Sequence, residues 1–337
     1  MKKIMTFEEE KRQEKIKSVY TTLFIVAGFV FVLRLLFYYP IQSLNASTLP
    51  SAVKTLVELA ANSVALFVPF FIYGKLRGIG IKNFFEKGEK KIKPTVAALL
   101  FLGGLAAALC YPLERLFSFM VSDGFIFSEP YPAATDDVFS KAVFLIVLPL
   151  VSAAVTEFSL RTVALGSVKD ASHAFSVAAV VILNILLFPE WSSLIMTVSS
   201  AIILSALFIK TNSSPAVFAV SFVFRFVSAA AKVFSFEKAG IAVSVIGGTV
   251  ALVGLILFIA AKGFSFGEKP ENAFSKKEGF SALFKNSIII MLIFVSAVQT
   301  FYFYVKKPEK DENKKTEMRY TVETQKEFSC SFSEKNV

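Results

Sequence analysis

The chain has 337 residues, of which 55% are hydrophobic, and its mean hydropathy is +0.62. Soluble domains are about 45–50% apolar and rarely carry long runs free of charge, so this composition excludes a soluble globular protein. The net charge of +10 does not indicate nucleic-acid binding, because the lysines and arginines cluster between the apolar runs, where they orient helices in a bilayer.

Apolar runs recur along nearly the whole chain, each about the 20 residues that a helix needs to cross the hydrocarbon core. They predict an all-α, polytopic transmembrane bundle embedded in a lipid bilayer. Pro189 is expected to end one helix, and the short PEWS connection that it opens predicts a tight helical hairpin. About nine spans are expected, at 20–39, 52–73, 95–119, 141–165, 172–188, 193–210, 214–234, 240–261 and 284–305.

The ends of the chain differ from this bundle, which takes up residues 19–305. Residues 1–18 mix both charge signs and are too acidic for a signal peptide, so the first span is expected to remain as an anchor. Residues 306–337 are polar, offer little apolar surface to offset the entropy of ordering, and are expected to be disordered.

Loop charge predicts the orientation of the bundle. The segment 74–94 holds seven Lys or Arg residues. The loops 40–51 and 120–140 hold none, and the second of them is acidic. Because positive loops stay inside, 74–94 and the N-terminus are predicted to be cytoplasmic, in a protein of the cell membrane. The span count then puts the C-terminus outside.

The fourth span carries the first motif, TEFSLR at 156–161. Glu157 and Arg161 stand one helical turn apart, so their side chains can pair. Charges inside a span are costly and are usually excluded or used, so the pair needs a reason.

Two later segments follow in the same order. The fifth span ends in ILLFPEWS, with Phe188 and, four residues on, Ser192. A polar turn, Thr211, Asn212 and Ser213, then precedes a span that carries Ser221 and Arg225.

These three segments, within 140–230, resemble the signatures of the CAAX-protease and bacteriocin-processing family of intramembrane proteases. That family has two adjacent glutamates, three residues and arginine; then phenylalanine, three residues and histidine; then, after a small polar turn, histidine followed four later by asparagine or aspartate. Glu157, Arg161 and Phe188 match the pattern. Four positions depart from it: Thr156 replaces the first glutamate, Ser192 and Ser221 replace the histidines, and Arg225 replaces the amide or acid.

In that family the first glutamate activates water, while the histidines and the asparagine hold and polarise the reactants. The resemblance therefore implies a protease-like core from which the base and both histidines are missing. A threonine hydroxyl is not a base, and serine cannot replace an imidazole as base or metal ligand. Glu157 is expected to point away from the missing glutamate's position and to pair with Arg161. His173, the single histidine, begins the next helix and cannot fill positions deeper in the bilayer.

The hypothesis that follows is a non-cleaving binding or scaffold protein, with roles such as escorting a membrane partner or immunity against a secreted peptide resting on family analogy alone. Its partner would be a membrane-bound or hydrophobic peptide. No cofactor or metal is expected, because Cys110 and Cys330 lack any metal-ligand spacing. Two alternatives stay open: an active protease with a displaced site at Glu157, and a small-solute or anion transporter that uses Arg34 or Arg225.

Overall fold

The computed structural model describes residues 7–45, 49–86, 88, 91–122, 126–127, 137–169, 173–188, 194–234, 239–265 and 286–306. These residues are almost entirely helical, as predicted. The helices are α1 Phe7–Asn45, α2 Ser51–Leu76, α3 Ile81–Phe85, α4 Ile92–Ser122, α5 Val138–Val168, α6 His173–Leu187, α7 Leu194–Thr211, α8 Ser214–Phe234, α9 Gly240–Ala260 and α10 Ser287–Tyr304. Two short antiparallel strands, β1 Ile126–Phe127 and β2 Val305–Lys306, were not predicted.

Seven of these helices are long and apolar enough to cross a membrane, which is the architecture of a multi-spanning membrane protein. They are α1, α2, α4, α5, α7, α8 and α9. The remaining two predicted spans form shorter apolar helices, with α6 at His173–Leu187 and the apolar part of α10 at Ser287–Val298. Of the nine predicted spans, seven are therefore helices of spanning length in the described residues, and the other two are apolar helices shorter than that.

Helix boundaries depart from the prediction at both ends of α1. The helix begins at Phe7, inside the charged segment 1–18, and continues through Pro40 to Asn45. The short helix α3 lies within the basic segment 74–94, where no helix was expected. The tail from 307 onward lies outside the described residues, so its predicted disorder stays a prediction.

Helix α5 is not a regular α-helix. Two π-helical segments, Val143–Val147 and Phe158–Leu165, interrupt it on either side of an α-helical stretch, Leu148–Glu157. A π-helix bonds residue i to residue i+5, and such segments are rare and occur frequently at functional sites. The second one begins directly after Glu157 and contains Arg161.

Helices α4 and α9 pack closely on small residues. A Cβ atom at Gly104 would lie 2.5 Å from the backbone nitrogen of Ala251, and one at Gly247 would lie 2.6 Å from that of Ala108. Their sequence neighbours Gly103 and Gly248 face open space. One glycine of each adjacent pair therefore allows the two helices to approach closely.

The C-terminal end of α6 is held by its neighbours. Arg34 of α1 donates a hydrogen bond to the carbonyl oxygen of Leu187, and its guanidinium lies 5.4 Å from the ring centre of Phe188. Ser296 of α10 donates to the carbonyl of Leu186 over 3.1 Å. A cation and a hydroxyl thus satisfy carbonyls that the helix end leaves open.

The packed interior lies between α1, α2, α5, α6 and α7. Its fully buried members include Tyr20, Phe24, Phe70, Leu160 and Leu183. The largest side chain buried to this extent is a charged one, that of Arg161. A permanent cation in the core requires a local counter-charge, which Glu157 supplies from the same helix.

Candidate functional site

The turn between α7 and α8 sets the position of α8. Asn212 takes a left-handed conformation with φ of 47°, which asparagine tolerates better than most residues. The Ser213 hydroxyl then accepts a 3.4 Å hydrogen bond from the backbone of Ala216, as an N-cap does. The predicted polar turn is confirmed, and it directs α8 back along α5.

Helix α8 meets α5 first through two hydroxyls. Those of Thr162 and Ser214 lie 2.8 Å apart, and both side chains are buried. Thr162 stands five residues after Glu157, and in the π-helical register its hydroxyl also reaches the Glu157 carbonyl, at 3.5 Å. This contact brings the first and third motifs together.

Glu157 occupies the middle of the interface between these helices. Its carboxylate accepts a 2.8 Å hydrogen bond from the Ser221 hydroxyl through Oε1, while Oε2 lies 3.3 Å from Nε of Arg161. Glu157, Arg161 and Ser221 are each 1% exposed. The predicted Glu157–Arg161 pair is confirmed, and Ser221 is the third member of this group.

Thr156 and Arg225 form the second contact of the motif residues. Arg225 donates to the Thr156 hydroxyl over 3.3 Å. Arg225 stands eleven residues after Ser214, so it lies about 16 Å along α8 from its first residue, close to the middle of the span. The two arginines and one glutamate therefore leave one positive charge in the cluster.

One expectation about Glu157 is wrong. It was predicted to point away from the position of Thr156, because successive residues of an α-helix differ by about 100° in direction. Both side chains instead contact α8, through Ser221 and Arg225 four residues apart on that helix. The long side chains of Glu157 and Arg225 reach across the interface, so backbone direction alone does not decide which helix they meet.

The remaining predicted residues lie elsewhere or outside the described residues. Phe188 follows the end of α6 and lies under Arg34. It does not belong to the α5–α8 cluster, which consists of Thr156, Glu157, Arg161, Ser221 and Arg225. Ser192 lies outside the described residues, so its place relative to the cluster stays a prediction. His173 begins α6, as expected. In the part of the chain that the structure describes, no group of three His, Cys, Asp or Glu residues could hold a metal ion.

Two buried polar features were missed in the sequence. The Thr162–Ser214 contact depends on the π-helical register, for which the apolar sequence carries no clear signal. Glu58, 5% exposed within the apolar helix α2, is a second buried carboxylate in a spanning helix. Glu58 is the one acidic residue in the apolar sequence of α2, and such a residue in a spanning helix indicates a buried position.

The cluster is suited to holding groups in place more than to proton transfer. Glu157 already accepts a hydrogen bond and faces a cation, so protonating it would break the ion pair. Hydroxyls and guanidinium groups supply donors, which can stabilise negative charge. In its chemistry the arrangement is therefore better suited to stabilising an anion than to acting as a base.

Comparison of the chain with protein-family models, with curated proteins and with solved structures finds no match. The family resemblance therefore rests on the motif residues themselves.

Proposed function

We propose that the chain is a membrane-embedded binding or scaffold protein with a core like that of CAAX-type proteases, which holds an apolar or membrane-bound peptide without cutting it. The observation that carries this proposal is the state of Glu157. It is buried, bonded to Ser221 and paired with Arg161 at 3.3 Å, so it is committed to structure. The neighbouring Thr156 cannot supply the missing base.

The position of the motif residues supports the same proposal. Thr156, Glu157, Ser221 and Arg225 belong to two signatures that are separated in sequence, yet they share one interface. A chance resemblance gives no reason for such an encounter. A scaffold that has lost its chemistry retains the packing of the signatures and replaces the reactive groups with donors.

The experiment that tests the proposal measures binding and turnover together. The full chain, in lipid nanodiscs, is incubated with a transmembrane peptide that carries a quenched fluorophore pair and a photo-crosslinking group. We expect crosslinked peptide of unchanged mass and no fluorescence release. Cleavage of the peptide by the wild-type protein would contradict the proposal.

The displaced-site protease is the second candidate, because the 2.8 Å bond between Ser221 and Glu157 joins a hydroxyl to a carboxylate. In that case cleavage should be lost in Glu157→Gln. The matched control is Glu58→Gln, which neutralises the other buried carboxylate of a spanning helix and should leave the cleavage rate unchanged. Turnover that follows this pattern would favour the protease.

The transporter alternative differs between its two arginines. Arg34 donates a hydrogen bond to the end of α6 and stacks over Phe188. These contacts give its charge a structural role. Arg225 instead donates to the neutral hydroxyl of Thr156, which does not balance its charge. Solute uptake into liposomes that depends on Arg225 would move this alternative ahead of the scaffold proposal.

A further inference from the structure

The charge of the α5–α8 cluster is incomplete. Glu157 provides one negative charge against the positive charges of Arg161 and Arg225. An arginine cannot lose its proton in a protein, so the excess charge is permanent. At membrane depth, where water does not screen it, such a charge requires a partner.

Arg225 has donors to spare and is the more exposed of the two arginines in the cluster. Its one hydrogen bond among the described residues goes to the neutral hydroxyl of Thr156, and its Nε atom is buried with no hydrogen-bond partner there. The side chain as a whole is half-buried, so a ligand can approach it from one side. Arg161, in contrast, is fully enclosed beside Glu157.

An apolar surface adjoins this cation. Phe218, Phe222 and Phe226 follow one another at four-residue intervals on α8, with ring centres 6.4 Å and 6.1 Å apart. Phe226, the residue after Arg225, is 39% exposed. An aromatic stripe beside a half-buried guanidinium favours a ligand with an anionic head and an apolar chain.

We infer that Arg225 binds the carboxylate of an apolar-chain ligand, which completes the charge of the cluster. A carboxylate matches the fork of a guanidinium and brings one negative charge, whereas a doubly charged phosphate would overcompensate. The ligand's source is either a fatty acid or the C-terminus of an apolar peptide. The inference goes beyond the proposed function, because it does not depend on the ligand being a peptide.

The test is photoaffinity labelling of the full chain in nanodiscs with a diazirine-bearing fatty acid. Decanoate should compete for the label, while methyl decanoate, which has the same chain without the charge, should not. In Arg225→Gln the decanoate concentration needed for half-competition should rise by about tenfold or more, the factor expected for one lost charge-assisted hydrogen bond. Arg225→Lys keeps the charge and should retain part of the competition.

Two further variants separate binding from general damage. Glu157→Gln raises the excess charge from one to two, so its affinity for decanoate should increase. Arg34→Gln removes an arginine that bonds to the end of α6 instead of to the α5–α8 cluster, and its half-competition value should match the wild type. Equal competition by decanoate and its methyl ester, unchanged competition in Arg225→Gln, or weaker competition in Glu157→Gln than in the wild type, would overturn the inference.

A peptide arm identifies the source. An alanine–leucine decapeptide is used as the free acid and as the C-terminal amide. Competition by the acid alone supports a peptide carboxylate, and competition by decanoate alone supports a fatty acid while removing support for the peptide-binding function. Equal competition by acid and amide would retain peptide binding but overturn the carboxylate inference.

Discussion

At the residue scale, Glu157 joins residues of two motifs that are separated in the sequence. It pairs with Arg161 on its own helix and accepts a hydrogen bond from Ser221 on α8. With Arg225 nearby, Glu157 is the single negative charge between two cations. Its removal therefore leaves two like charges buried in one interface, whereas removal of Arg161 leaves a balanced pair.

This asymmetry gives a prediction for a double-mutant cycle. Glu157→Gln should destabilise the protein by about 3–5 kcal/mol, the usual cost of breaking a buried ion pair. Arg161→Gln should cost less, because Arg225 remains to balance Glu157. The double variant should be more stable than Glu157→Gln alone. Unfolding by denaturant in detergent micelles measures all four proteins, and equal costs for both single variants would contradict the account.

The sequence predicted the ion pair but not its surroundings. The four-residue spacing of Glu157 and Arg161 sufficed, because i and i+4 side chains meet on any α-helix. The Thr162–Ser214 contact could not be foreseen, since a π-helical segment changes which residues share a face. The direction of Glu157 was wrongly predicted, because it was inferred from the 100° step between successive backbone positions. The Glu157 side chain is long enough to reach α8 in spite of that step.

At the element scale, the contact of α4 with α9 depends on which glycine of each pair lies at the crossing. Gly104 and Gly247 lie in the contact, while Gly103 and Gly248 face open space. Hydropathy locates both helices well, because apolar runs are long and continuous. It does not give their rotation about their own axes, so the sequence could not choose between adjacent glycines.

The two glycines of α9 should therefore respond oppositely to alanine. Gly247→Ala places a methyl group 2.6 Å from the Ala108 nitrogen, so overpacking should cost about 1–3 kcal/mol. Gly248→Ala meets nothing within 4 Å and should stabilise the helix by about 0.5–1 kcal/mol. The shift of each unfolding midpoint in micelles measures this difference. Loss of stability in Gly248→Ala equal to that in Gly247→Ala would show that the helices cross elsewhere.

At the scale of the whole molecule, the basic segment 74–94 gives the bundle its predicted direction. Lys82, in α3, and Val138, at the start of α5, are both exposed, and α5 runs from Val138 across the span. With 74–94 inside, Val138 should lie outside. In intact cells a membrane-impermeant maleimide should label Val138→Cys, and Lys82→Cys only after permeabilisation, in a background without Cys110 and Cys330. The reverse labelling pattern would show that the bundle has the opposite orientation in the membrane.

Both proposals depend on α5 and α8 meeting as described, so a crosslink between them is the most direct test. Thr162→Cys and Ser214→Cys, in the same cysteine-free background, replace hydroxyls that lie 2.8 Å apart and should form a disulfide in native membranes. The control pair is Val163→Cys with Ser214→Cys, because Val163 faces Gly74 of α2. Efficient linkage of the first pair and none of the second is the predicted result. No linkage of Thr162→Cys with Ser214→Cys, or equal linkage of both pairs, would contradict the shared interface.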